Sequence, residues 1–252
     1  MALTPWPYPL WIAHRGAGKL APENTLAAFR LGLQHGYRAF ECDVKLTRDE
    51  TSFLLHDDTL ERTTNGQGSP ADADWSALTP LDAGGWHSPP YTGERLPHFE
   101  QIAAFCRAND CALNVEIKPC PGVERRTGQV VAAEAARLWA GAAVPPLLSS
   151  FKPEALDGAR EAAPALPRAL LLDTLWDGWF EAAQALGVVA VVTNWRVMDA
   201  NLLGRLHAAG WRALVYTVND ADVAERLTAG GIDGIITDRV DTLPLKASPS
   251  SR

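Results

Sequence analysis
The chain has 252 residues, 47% hydrophobic and 21% charged, which suits one large α/β domain or two small ones with a sizeable core. Its formal net charge of -7 argues against nucleic acid or an anionic membrane surface as partner, because both need clustered cations; a small anionic ligand stays open. The opening MALTPWPYPLW lacks a basic stretch and carries prolines, and no apolar run reaches the ~18 residues of a membrane span, so neither a signal peptide nor membrane insertion is expected.

Apolar runs predict strands at 10–14, 39–46, 52–57, 112–119, 146–151, 168–173, 188–194, 213–218 and 234–238. Amphipathic stretches at 24–35, 98–109, 124–140, 153–162, 198–209 and 220–229 predict helices, and Gly36, Gly187, Gly210 and Gly230 stand where helices close. Strands alternating with helices imply a parallel sheet covered by helices, and about 250 residues is the usual size of a βα-barrel. One strand is then spare. The runs 39–46 and 52–57 are joined by TRDETS, too short for a crossover, so they should pair as an antiparallel hairpin. A turn centred near residue 49 or 50 would set Asp43 opposite His56. Residues 62–97, rich in Gly, Pro, Asp and Ser, read as an inserted subdomain with a short helix near 72–78, over one end of the barrel. The expected organisation is a single domain over 1–245, followed by a disordered tail at 246–252.

Several residues interrupt the apolar strands. In WIAHRGAGKLAPENT, His14 and Arg15 end a buried strand; a flexible Gly16-Ala17-Gly18 follows, and Asn24 or Thr25 opens a helix whose free N–H groups favour an anion. In ECDVK, side chains alternate, so Glu41, Asp43 and Lys45 share one face; in NVEIK, Asn114, Glu116 and Lys118 do the same. Carboxylates on an otherwise apolar strand face are costly to bury unless paired or bound to a cation. In a barrel both faces point inward near the C-terminal mouth, where Glu41, Asp43 and Glu116 would offer an all-oxygen site suited to Mg²⁺ or Ca²⁺. His14 and His56 sit at strand ends, where one could accept a proton and the other supply one. Arg15 and Lys118 are the cations a phosphate would meet. His35 and His207 read as surface residues near helix C-termini. Trp86, Trp176, Trp179 and Trp195 are candidate pocket walls, with packing the expected fate of each.

In order and spacing, HRG…PENT, ECDVKLTRD, LLHDDTLERTTNG, LNVEIKP, VYTVND and GIITDRV resemble the glycerophosphodiester phosphodiesterase family across residues 12 to 243. The resemblance implies a TIM-type (β/α)8 barrel with a small insertion after the second histidine motif. It implies metal-dependent hydrolysis of glycerophosphodiesters, small-molecule substrates, to sn-glycerol 3-phosphate and an alcohol. By position, Glu41, Asp43 and Glu116 resemble the ligands of one divalent cation, His14 and His56 the general acid/base pair, and Arg15 and Lys118 the phosphate contacts. Tyr216 stands where the family often has Trp, a position that could line the glycerol pocket. A lysophospholipase D or sphingomyelinase D-like enzyme using the same groups on a lipid is one alternative; such a substrate would favour an exposed apolar rim. A catalytically silent phosphate-binding barrel is another. Cys42, Cys106, Cys111 and Cys120 form no CxxC pair, and reduced thiols in a cytoplasmic protein are the expectation.

Overall fold
The computed structural model describes residues 6–243. Nine strands form one sheet: β1 (Trp11–Ala13), β2 (Ala39–Leu46), β3 (Ser52–Leu54), β4 (Ala112–Ile117), β5 (Leu147–Ser150), β6 (Arg168–Leu172), β7 (Ala190–Asn194), β8 (Arg212–Tyr216) and β9 (Gly234–Thr237). Eight of them are parallel and run in the order β1-β9-β8-β7-β6-β5-β4-β2, and β1 pairs again with β2, which closes a TIM barrel. The ninth, β3, pairs antiparallel with β2 on the outside of that closure. Helices α1 (Leu26–Gln34), α3 (Phe99–Ala108), α4 (Glu124–Leu138), α5 (Pro153–Ala162), α6 (Trp179–Leu186), α7 (Ala200–Ala208) and α8 (Ala221–Ala229) surround the sheet, and a single-turn α2 (Trp75–Leu78) lies in the segment after β3. No helix among the described residues is long and apolar enough to cross a membrane. The tail at 246–252 lies outside the described residues.

The pleat decides what reaches the interior. On β2, Phe40, Cys42 and Val44 face outward into the core shared with α1, α3 and α4, while Ala39 packs inside the barrel with Ile12, Leu147, Ala169, Leu171, Ala190, Val192, Leu214 and Ile236. Small and branched residues fill the floor of the barrel, and the next inward positions toward the C-terminal end, Glu41 and Asp43, are polar.

The hairpin is one residue out of the expected register. Val44 pairs with Leu54 and Leu46 with Ser52, so the carbonyl of Asp43 accepts from the N–H of Leu55 rather than facing His56. Strand β3 stops at Leu54, and its outer edge meets Pro97 and His98. Gly230 does close α8 as its C-cap, in a right-handed conformation, and the left-handed turn falls on the next residue, Gly231, at φ 90°.

Residues 62–97 carry short elements and share a small core with β3 and the loop that follows it. Phe53, Leu55, Leu60, Leu78, Ala83 and Leu96 are buried together, with Trp75 and Leu81 packed on them. The helical stretch near 72–78 is divided into a 3-10 turn at Pro70–Asp72 and α2.

Candidate active site
Seven residues singled out in the sequence converge at the C-terminal mouth. A cavity of about 320 Å³ is lined by His14, Arg15, Glu41, His56, Glu116 and Lys118, together with Asn114, Phe151, Leu171, Asp173, Tyr216, Thr217 and Ile236. Asp43 lies just beneath, 1% exposed, with its carboxylate against Arg15 and Lys118.

The carboxylates form one cluster. Glu41, Asp43 and Glu116 each present an oxygen such that these atoms all lie within 4.8 Å of one another. The strand register explains it: Glu41 stands beside Asn114, and Asp43 beside Glu116. Burial and repulsion from its neighbours drive Glu41 well above the usual carboxylate range, and burial with Asp43 alongside raises Glu116 to about 7. Burial would also raise Asp43, but Arg15, Lys118 and His56 override it and hold that group below its ordinary value.

Two cations hem in the cluster. The Arg15 guanidinium lies 3.2 Å (Nε) from Asp43 and donates from Nη1 to Glu23 at 2.7 Å. Lys118 Nζ is 3.0 Å from Glu116 and 3.5 Å from Asp43. Arg15 adopts a left-handed conformation, φ 50°, rare for a residue with a Cβ. In that conformation its backbone N–H donates to Glu41 at 3.0 Å.

Each histidine is held by a carboxylate through Nδ1: His14 to Asp238 at 2.6 Å, and His56 to Asp57 at 2.7 Å. The Nε2 atom of each is thereby left for the cavity, and that of His14 lies 3.8 Å from Glu41. Burial, with Arg15 and Lys118 nearby, lowers the pKa of His56 even though Asp43 and Asp57 pull it upward.

The oxygen-only donor set fits a divalent cation, and one further feature supports the fit. Glu41 Oε1 is buried without a hydrogen-bond partner, as are the Asn114 amide and the Ser149 hydroxyl on the adjoining strands. Unpartnered buried polar atoms are rare and costly, and a cation on Glu41 would relieve one of them.

Other expectations are corrected. Gly16 and Gly18 are not slack. A Cβ on Gly16 would come within 2.8 Å of Ala28, and one on Gly18 within 2.2 Å of the Asp238 carbonyl oxygen. The start of α1 spends its N–H groups on the protein's own side chains rather than on a ligand in the cavity. Thr25 caps Ala28, and Glu94 from the 62–97 segment accepts from Ala27. Asn24 instead braces Asp43, donating from Nδ2 at 2.8 Å and accepting the Asp43 N–H at 3.1 Å. The four tryptophans do keep to packing or surface positions, as expected, and none lines the cavity: Trp86 and Trp176 are surface-exposed, and Trp179 and Trp195 pack in the core outside the barrel. His35 does stand exposed at the end of α1, while His207 is paired with Asp233.

Sequence reasoning did not assign Asp238, Glu23, Arg62, Phe151 or Asp173. For Asp238 a signal existed: in a closed barrel the first and last strands are neighbours, and Ala13 pairs with Thr237, which sets His14 beside Asp238. Arg62 bonds both Asp57 and Glu23, and no local pattern reveals that.

Fold and cavity together define a TIM barrel with a charged site at the C-terminal mouth of its strands. The chain belongs to the glycerophosphoryl diester phosphodiesterase family, whose sequence model matches residues 14–242, and it is an enzyme of that kind, a phosphoric diester hydrolase. YhdW of Bacillus subtilis is 32% identical over 237 residues, 91% of this chain and 94% of its own. A glycerophosphodiester phosphodiesterase of Caldanaerobacter subterraneus is 31% identical over 239 residues, covering 93% of this chain and 96% of its own. Among solved structures, an Oleispira antarctica phosphodiesterase in complex with the product sn-glycerol-3-phosphate superposes with a TM-score of 0.85 at 32% identity, covering 92% of this chain and 93% of that one.

Proposed function
We propose that this enzyme hydrolyses glycerophosphodiesters to sn-glycerol 3-phosphate and an alcohol, with one divalent cation, Mg²⁺ or Ca²⁺, held by Glu41, Asp43 and Glu116. The observation that carries the reading is the buried carboxylate cluster set between two histidines, each fixed at Nδ1 by its own aspartate. Bound there, the cation would offset charge on the phosphate and make its phosphorus easier to attack.

The protein's own groups do the rest. Arg15 and Lys118 hold the phosphate oxygens, the arginine by its fork and the lysine as a point charge. One histidine takes the proton of the attacking hydroxyl at Nε2, and the other gives a proton from Nε2 to the departing alkoxide. Asp238 and Asp57 keep each ring in place and stabilise it whenever it carries the charge. With all seven groups present, a silent barrel has no support. The four cysteines are unpaired and buried, which suits a reducing cytoplasm; cell fractionation would test that location.

The test is release of sn-glycerol 3-phosphate from glycerophosphocholine with Mg²⁺, with Ca²⁺ and with EDTA, beside Glu41→Ala. Release that needs the cation and that Glu41→Ala lacks is expected. Undiminished release in EDTA overturns the metal site.

A lipid substrate is a second reading, supported by Leu175 and Trp176. They are 42% and 40% exposed on the loop that leaves β6 just past Asp173, and form an apolar edge near the mouth. Faster turnover of lysophosphatidylcholine than of glycerophosphocholine would favour it.

A further inference from the structure
The cavity has two chemically different ends. At one end stand Arg15 and Lys118, the contacts for an anion. Moving along its wall, Lys118 Nζ lies 5.8 Å from the Phe151 ring centroid, and Phe151 meets Tyr216 edge-on with centroids 5.6 Å apart. The Tyr216 hydroxyl then donates to Asp173 Oδ1 at 3.3 Å, and Asn194 Nδ2 donates to the same oxygen at 3.0 Å.

Asp173 differs from the other carboxylates of the cavity. Glu116 faces Lys118, and Glu41 faces the Arg15 N–H and His14. Asp173 has no Lys, Arg or His within ion-pair distance among the described residues, and its Oδ2 accepts from no protein group there. It is held in place by two neutral donors on one oxygen, and it lines the same cavity as the Phe151 and Tyr216 rings. A carboxylate with aromatic faces beside it is the chemistry that receives an ammonium group: the rings attract a cation through their quadrupole and the carboxylate through its charge.

We propose that Phe151, Tyr216 and Asp173 form a subsite for a cationic alcohol, so that the enzyme prefers phosphodiesters of amino alcohols, such as choline or ethanolamine, over those of neutral polyols. The inference rests on the phosphodiesterase reading above and adds to it the chemical class of the leaving group, placing Tyr216, through its bond to Asp173, on the alcohol side rather than in the glycerol pocket. A zwitterionic diester then matches the cavity along its length, phosphate toward Lys118 and ammonium toward Asp173.

The experiment compares kcat/KM for glycerophosphocholine with that for glycerophosphoglycerol, in wild-type protein, Asp173→Asn and Phe151→Leu. The asparagine keeps the size and one acceptor oxygen for Asn194 and Tyr216, so the change removes charge more than shape. Wild-type protein should favour the choline ester, and Asp173→Asn should reduce that ratio about tenfold, the worth of ~1.4 kcal/mol of cation binding. The wild-type ratio should also fall as salt rises, because the attraction is screened. A ratio unchanged by Asp173→Asn, with both substrates slowed alike, overturns the proposal and gives Asp173 a role toward the glycerol hydroxyls or the fold. Calorimetric binding of phosphocholine and of inorganic phosphate to the same proteins needs no turnover. Asp173→Asn should weaken phosphocholine about tenfold relative to phosphate. Equal weakening of both overturns the subsite even in a protein that hydrolyses neither diester, an outcome that would count separately against the phosphodiesterase reading.

Discussion

His14 Nδ1 and Asp238 Oδ1 are 2.6 Å apart across the seam where the last barrel strand meets the first. Asp238 is itself fixed. Asn219 Nδ2 donates to its Oδ2 at 2.9 Å, and Asn219 Oδ1 accepts its backbone N–H at 2.8 Å. The bond from His14 helps hold the Asp238 carboxyl below its ordinary value against burial that raises it. The barrel's closure therefore sets the tautomer of one histidine.

Asp238→Asn should cost far more in turnover than in binding. Because Asn219 donates to one oxygen, the new amide must turn its own oxygen there and its NH₂ toward His14. That forces His14 Nδ1 to accept and places its proton on Nε2. We expect kcat to fall at least about 100-fold with KM nearly unchanged. Steady-state kinetics check it, and a variant that only binds more weakly would remove Asp238 from this role.

Arg62 should behave as a positioning residue for both halves of the site. It donates to Glu23 at 2.8 Å and to Asp57 at 2.5 Å, and those carboxylates hold Arg15 and His56 in turn. The bond from Arg62 is the largest cause of the depressed pKa of Asp57. Arg62→Ala should lower kcat about 10- to 100-fold and shift the pH–rate profile. Arg62→Lys should restore little, since an ammonium cannot bond both carboxylates in the same fork. The exposed Arg48, paired with Asp74, gives the control: Arg48→Ala should leave the profile where it is. A profile identical in Arg62→Ala and wild type would argue against positioning.

The metal-free protein should lose stability as pH rises. Glu116 is raised from 4.5 to about 7 and Glu41 is also raised, so the folded state binds protons that the unfolded chain has released. The Glu116 contribution is fully present below 4.5 and is lost as pH climbs through about 7, and that of Glu41 is lost in the same direction. Asp43, lowered instead, works the other way and favours folding above 3.8. Melting temperature in EDTA should fall between pH 5 and 8, and Mg²⁺ or Ca²⁺ should restore it most at the upper end, because binding competes with the protons. Equal cation stabilisation at every pH would contradict this.

Gly18→Ala should strike fold and site together. Gly18 has φ 58°, and its Cα faces the Asp238 backbone so closely that a Cβ would fall 2.3 Å from the Asp238 Cα. Displacing Asp238 displaces His14, so we expect about 1–3 kcal/mol of destabilisation with a loss of turnover. Gly122→Ala separates strain from contact. Its φ is 89°, but nothing lies within 4 Å of the added Cβ, so the cost should be about 1 kcal/mol with turnover kept. Denaturant unfolding and kcat on the two variants check it.

The sequence carried the barrel because its signals are local. Continuous apolar strands, helices between them and a hairpin too short for a crossover each follow from a few adjacent residues, and all nine strands formed. The alternation in ECDVK and NVEIK placed Glu41, Asp43, Glu116 and Lys118 on inward faces by the same logic. What stayed hidden is what depends on register and on distant loops. One residue of slip moved Leu55 opposite Asp43. Asp238 reaches His14 only because the barrel closes, 224 residues apart. Arg62 meets Glu23 across 39 residues, and the Gly16–Gly18 stretch looked loose because nothing nearby in sequence shows the Asp238 backbone against it.

The two-histidine account is tested most directly by changing the leaving group. We would measure kcat for glycerophosphocholine and for the p-nitrophenyl ester of glycerol phosphate in wild type, His14→Ala and His56→Ala. Nitrophenolate leaves without a proton, so the variant lacking the general acid should recover most of its turnover on that ester, while the variant lacking the base stays slow on both. Equal defects of both variants on both substrates would contradict a division of acid and base between His14 and His56.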